Sequence, residues 1–292
     1  MKKILPAIFV LTAATLWGCM GWFARQLNAA SLYAMEVVEL RVVVGILCVG
    51  TYLALFHREK LRIRLRDLWC FVGTGLCSLL FFSWCYFTGM RHTSLSVMGV
   101  LLYTAPVFVM LMSAVLFREK LTLSKVFALL MTVVGCTLVA GIVSGEPISS
   151  MGLVMGLCAG FGYALYSIFS RYAIERGYDS WTITFYTFAF CAAAGVFLTD
   201  WQAISAAFAA KPSLWALTAV MGALTAFAPY ILYTKGLEGM ESSRASILAS
   251  VEPVVAAIIG TLVFHEAMSA QQLLGIVLIL GGIVVLQVRR KA

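Results

Sequence analysis

The sequence predicts an all-α polytopic membrane protein of ten transmembrane helices, arranged as two inverted five-helix repeats. Three observations carry this. Hydrophobic residues make up 62% of the 292 and charged residues only 12%, with a mean hydropathy of +0.97, so a water-soluble domain of this composition would expose far too much apolar surface. The apolar stretches run to about 20 residues, the length a helix needs to cross ~30 Å of hydrocarbon. Finally, Tyr86, Gly89, Ser96, Leu101, Pro106, Val107, Phe117 and Glu119 return 147 positions later as Tyr233, Gly236, Ser243, Leu248, Pro253, Val254, Phe264 and Glu266. A period that long marks duplicated half-domains rather than a solenoid.

Apolar runs between charged or Pro/Gly/Ser-rich breaks place helices at 4–25, 33–56, 68–90, 94–117, 124–143, 150–173, 180–199, 213–235, 243–264 and 270–288. Met1, Lys2 and Lys3 ahead of the first run resemble a signal peptide. The run, however, continues to Phe23 and carries Trp17 and Trp22 in place of a small-residue cleavage site, so a retained first helix is expected. A weaker echo lies upstream, where Phe23 and Arg25 reappear 146 positions on as Phe169 and Arg171. The turn-forming stretch 144–149 links a first repeat, 1–143, to a second, 150–292. Five crossings per repeat is an odd number, so the second repeat must lie upside down relative to the first.

The formal charge of +8 reflects topology and not a nucleic-acid partner, because the basic residues sit in short connections and at the two ends. With a cytoplasmic N-terminus, seventeen fall inside: Lys2, Lys3, Arg58, Lys60, Arg62, Arg64, Arg66, Arg118, Lys120, Lys125, Arg171, Arg176, Lys235, Arg244, Arg289, Arg290 and Lys291. Three fall outside (Arg25, Arg91, Lys211), and Arg41 lies within a helix. This asymmetry predicts a multi-pass protein of the cell membrane with both termini cytoplasmic. The eight cysteines form neither CxxC pairs nor metal-ligand spacings and read as small apolar fillers.

The order of Trp17-Gly18, Arg41, Tyr86-xx-Gly89 and the paired fourth helices, Pro106 to Glu119 and Pro253 to Glu266, resembles the EamA-type family of the drug/metabolite transporter superfamily. That resemblance implies a central cavity lined by both repeats, alternating access, and, by similarity to bacterial aromatic amino acid exporters, export of amino acids or related compounds.

Among the residues themselves, Glu252 stands out. It lies roughly 13 Å into its predicted helix, where a carboxylate must face water, a partner or a proton, so it is expected to bind a cationic substrate group or carry a coupling proton. The alternative is a structural carboxyl held between helices. Ala105 occupies the equivalent position of the first repeat. Pro106 and Pro253 each remove a backbone hydrogen bond mid-helix, freeing the carbonyls of Leu102 and Ala249, and are expected to form paired kinks that act as gates. Trp17, Trp84, Tyr103, Tyr163, Tyr166 and Tyr230 fall within spans, and the tyrosine hydroxyls there must turn inward, toward a substrate cavity or toward neighbouring helices. Arg41 shares no face with Glu36 and Glu39 and is expected either to pair with another helix or to line the cavity mouth. Arg25 and Arg91 read as interfacial anchors. Gly152, Gly156 and Gly160 form a close-packing stripe.

No Walker sequence, GxSxG, HExxH or large hydrophilic domain is present, so neither a cofactor nor cis ATP hydrolysis is expected. The sequence therefore reads as a carrier of a small-molecule substrate, embedded in lipid and driven by a gradient of substrate or of a coupling proton. A membrane-embedded enzyme or a channel are the competing readings. An enzyme would need several polar groups converging at one depth, and the sequence offers one deep carboxylate.

Overall fold

The computed structural model describes residues 4–141 and 149–288. Most of the expected linker 144–149, together with Lys2, Lys3, Arg289, Arg290 and Lys291, lies outside the described residues. Among those described there is helix and no strand. In chain order the helices are α1 (Leu5–Asn28), α2 (Met35–Phe56), α3 (Leu65–Gly89), α4 (Leu95–Leu116), α5 (Leu123–Val139), α6 (Ser150–Glu175), α7 (Ser180–Gly195), α8 (Trp201–Ala210), α9 (Leu214–Glu238), α10 (Ser242–Phe264) and α11 (Ala270–Gln287). Eight of these are long and apolar enough to cross a membrane, and α5 is a shorter apolar helix.

Polar contacts sort the connections onto two faces. One is basic: Lys60 pairs with Asp179 at 2.6 Å, Lys125 with Glu241 at 3.0 Å, and Glu238 accepts from the Ser180 amide at 3.0 Å. On the opposite face Arg25 pairs with Glu266 at 2.6 Å, Ser149 donates to the His92 carbonyl at 2.9 Å, and Glu36 accepts from the Asp200 amide at 3.1 Å. The shorter helices α5 and α7 also run between these faces: α5 from Lys125 to Val139, which meets Gln272, and α7 from Ser180 to Gly195, beside Glu39.

The packing follows the duplication. α1 lies against α9 as α6 lies against α3, and α10 against α1 as α4 against α6, while α2 pairs with α7 and α5 with α11. The first helix belongs to this core, with Val10, Ala13 and Ala14 fully buried. The Gly152, Gly156 and Gly160 stripe lets α6 approach α4: a Cβ at Gly156 would stand 2.3 Å from the Leu101 side chain, and one at Gly160 would stand 2.8 Å from the Leu101 carbonyl.

Three features depart from the expected helices. α8, on the face opposite the basic one, lies in the connection expected between the helices at 180–199 and 213–235. Asp200 caps its first amides, and it buries Ile204 and Phe208 against Leu27 and Leu214. α1 is interrupted at Cys19. Finally, α3 and α9 carry π-helical turns at Gly73–Leu80 and Ala223–Phe227. These two segments correspond under the 147-residue shift, and π-turns concentrate at functional sites.

Candidate functional site

The proline positions interrupt their helices rather than only bending them. α4 breaks between Leu95–Leu102 and Ala105–Leu116, and α10 breaks at the equivalent point, between Ser242–Ala249 and Glu252–Phe264. At both breaks the backbone tightens to three-residue bonds, Thr104 N to Leu101 O at 3.2 Å and Val251 N to Leu248 O at 3.3 Å. Glu252 is therefore the first residue of a new half-helix instead of a mid-helix residue. The N-terminal dipole there favours a carboxylate, which gives a physical reason for an acidic group within an apolar segment. Ala105 holds the same place in α4 and is buried.

Tyr163, on α6, donates to Glu252 Oε2 at 3.3 Å. Its ring meets Trp17 edge-on at 6.3 Å, and Trp17 in turn meets Tyr230 at 5.3 Å, also edge-on. Tyr103 sits in the break of α4, at the end of its first half-helix, and the Tyr86 ring meets Phe82 at 6.0 Å. Trp17, Phe82, Tyr163 and Tyr230 border a cavity of about 20 Å³ that Ser78 and Leu79 of the π-turn also line. This volume holds about one water molecule, so nothing larger fits in this arrangement of the helices.

Arg41 is buried, 8% exposed, and its Nε has no hydrogen-bond partner. Among the described residues it forms no ion pair, so the expected interhelical pairing is not what the structure shows. Nearby Glu39, 2% exposed, likewise has an unpartnered Oε2. Trp84 corrects the sequence reading: it is 45% exposed on the outside of α3, because the helix turns Phe82 inward against Tyr163 and leaves position 84 on the far face. Tyr166 is inward but occupied, bonded to Thr234 Oγ1 at 2.7 Å. Tyr233 and Ser167 satisfy each other at 2.7 Å. Arg25 pairs with Glu266 and lies 4.0 Å over the Phe264 ring.

Sequence reasoning missed Phe82, Ser78 and Tyr233 around the cavity. Tyr233 carried a signal, since it repeats Tyr86. Ser78 and Phe82 carried none: Ser78 lies in the π-turn and Phe82 just beyond it, where the turn has shifted the helical register, and π-turns leave no residue signature. Among the described residues no cluster of His, Cys, Asp and Glu is placed to hold a metal.

The model of the EamA-like transporter family matches residues 4–141 and, a second time, 150–288. The chain belongs to the EamA-like transporter family. An uncharacterized transporter of Archaeoglobus fulgidus is 29% identical over 204 residues, covering 68% of this chain and 70% of that protein. The uncharacterized transporter YwfM of Bacillus subtilis is 25% identical over 289 residues, covering 98% and 95%. A protein of solved structure superposes with a TM-score of 0.79 at 17% identity, covering 98% of each chain; at that identity it speaks to the fold alone. The two EamA matches assign Trp17 and Arg41 to the first copy and Tyr163, Tyr230 and Glu252 to the second. The aromatic cluster thus lies where the two EamA copies meet.

Proposed function

We propose that this EamA-family protein is a secondary-active or facilitative carrier that exports amino acids or related small metabolites by alternating access. The observation that carries the proposal is Glu252. It opens a half-helix at a repeat-related break, accepts from Tyr163 and sits beside the Trp17 cluster between the two copies. Interrupted helices whose ends face a central cavity are the common construction of transporter binding sites. The carboxylate suits a substrate ammonium or a coupling proton, the aromatic walls suit an apolar side chain, and the unpaired Arg41 suits a carboxylate.

All ten helices other than α8 cross the bilayer in this reading. Support comes from α5 and α7 joining the same two faces as the longer helices. Inversion of the repeats is supported by direction. α1 ends at the Arg25–Glu266 face, whereas its counterpart α6 ends at the basic face near Asp67. The seventeen-to-three charge asymmetry supports a cell-membrane protein whose basic face is cytoplasmic. The cavity enlarges as one repeat rocks against the other.

Counterflow of radiolabelled amino acids and other small metabolites in proteoliposomes tests the proposal. Trans-stimulated uptake of at least one compound, lost in Glu252→Gln, is expected. Flux without trans-stimulation would make the protein a channel, and unchanged transport and pH profile in Glu252→Gln would remove Glu252 from the site.

A further inference from the structure

The two Phe-x-Glu motifs that close α4 and α10 are built alike and bound differently. Arg118 and His265 both take the left-handed conformation at φ 55, an uncommon state for residues other than glycine. In each turn the following glutamate amide closes on the helix, Glu119 N on Ser113 O and Glu266 N on Gly260 O, both at 3.2 Å. These pairs of residues correspond under the 147-residue shift, so the same turn presents a carboxylate on the basic face and on the opposite face.

On the basic face the carboxylate is engaged. Glu119 is 7% exposed, 3.6 Å from Lys125, and accepts from the Ser242 amide at 2.8 Å, the Ser243 amide at 3.3 Å and the Ser243 hydroxyl. It therefore caps the first turn of α10, and the Ser242–Ala249 half-helix packs along the Ala105–Leu116 half of α4. The equivalent donors on the opposite face are the Leu95 and Ser96 amides and the Ser96 hydroxyl. Among the described residues none of them has a hydrogen-bond partner. Glu266 instead lies 52% exposed in its pair with Arg25, and the first half of α4 does not pack along the second half of α10 in the corresponding way.

We infer that Glu119 with Ser242–Ser243, and Glu266 with Leu95–Ser96, are two mutually exclusive gate latches, and that this structure holds the basic-face latch closed and the opposite one open. The inference rests on the alternating-access reading. When one repeat adopts the arrangement now held by the other, Glu119 releases α10 and Glu266 leaves Arg25 to cap α4. A carboxylate on helix N-terminal amides makes charge-assisted bonds at either station. Closing one gate thus compensates for opening the other.

Hydrogen–deuterium exchange on the full-length protein in lipid nanodiscs tests this without a known substrate. In the wild type, the peptide over 242–249 is expected to be protected and that over 95–102 to exchange faster. Glu119→Gln should speed exchange over 242–249 by about tenfold or more, the loss expected for bonds to a charged acceptor, and slow exchange over 95–102. Arg25→Ala, an exposed change that does not threaten folding, frees Glu266 and should also slow exchange over 95–102. Adding Glu266→Gln to either should return 95–102 to fast exchange. If 95–102 stays unchanged in both Glu119→Gln and Arg25→Ala, Glu119 is a local helix cap and the paired latch is wrong. Counterflow separates the two readings. Counterflow without reciprocal exchange overturns the latch and leaves the carrier, while reciprocal exchange without counterflow upholds the latch and overturns the carrier.

Discussion

Trp17 and Tyr163 stand 146 residues apart at equivalent places in the two repeats, and their rings meet edge-to-face at 6.3 Å. The repeats therefore touch each other through the same position, and an acidic group at that junction, Glu252, hydrogen-bonds to one member of the pair. Chemical asymmetry is thus placed on a symmetric contact. A carrier needs both: symmetry gives two arrangements of similar energy, and asymmetry gives one binding site.

Tyr163→Phe removes the hydroxyl that faces Glu252 and little else. A hydrogen bond to a charged group contributes about 1.5–3 kcal/mol, so counterflow is expected to fall by roughly tenfold or more, with any loss of thermal stability in detergent confined to that same figure. A collapse in stability with unchanged residual rate would make the contact structural.

Pro253→Ala restores an amide that can bond to the Ala249 carbonyl and lets α10 run through its break. Transport is expected to slow while the melting temperature holds or rises. Faster transport would argue against the break as a moving part. Pro106→Ala should act in the same direction, since α4 breaks at the same point.

Gly156→Leu places a branched side chain where even a Cβ would stand 2.3 Å from Leu101. Overpacking of this kind costs about 1–3 kcal/mol, and a lower melting temperature by fluorescence-detected size exclusion is expected. Gly99, with open space around its Cα, is the matched control.

Lys60 and Asp179 clasp two basic-face connections. The Asp179 hydrogen bond holds the Lys60 ammonium above its ordinary value. Burial pushes the Asp179 carboxyl up, but Lys60 and Thr182 outweigh it and hold the group below its usual range. The Lys60 contribution is therefore complete below about pH 10 and is lost as pH rises through its folded value; that of Asp179 is complete above about pH 4 and is lost as pH falls through its folded value. Asp179→Asn should lower stability by about 1 kcal/mol or less, equally at pH 6 and pH 8. A penalty that changes between those two values would assign the clasp to another titrating group.

Cysteines introduced in loop 57–67 and in 144–150, on a cysteine-free background, should react with an impermeant maleimide from opposite sides of intact cells. Labelling of both from one side would remove the inverted-repeat reading.

Much of this was legible along the chain because the bilayer constrains sequence strongly. Helix positions follow from apolar length, and the Pro106/Pro253 pair marked both breaks. Glu252 was conspicuous because a carboxylate in an apolar run demands an explanation. What escaped reading had no one-dimensional signature. Trp84 and Trp17 look alike in sequence, yet one faces outward and the other holds the centre, because helix rotation depends on neighbours. The π-turns of α3 and α9, the short helix α8 and the pairing of Arg25 with Glu266 all depend on what packs alongside.

The sequence by itself determined the helical membrane class, the duplication and the residues able to carry charge within it. Hydropathy, proline and charge act locally on each segment, and a duplicated gene repeats them at a fixed interval. Only the tertiary structure decided that Glu119 caps a helix of the other repeat while Glu266 does not. The two motifs are alike in sequence and in local backbone, and which partner each carboxylate meets depends on which half-helix packs beside it.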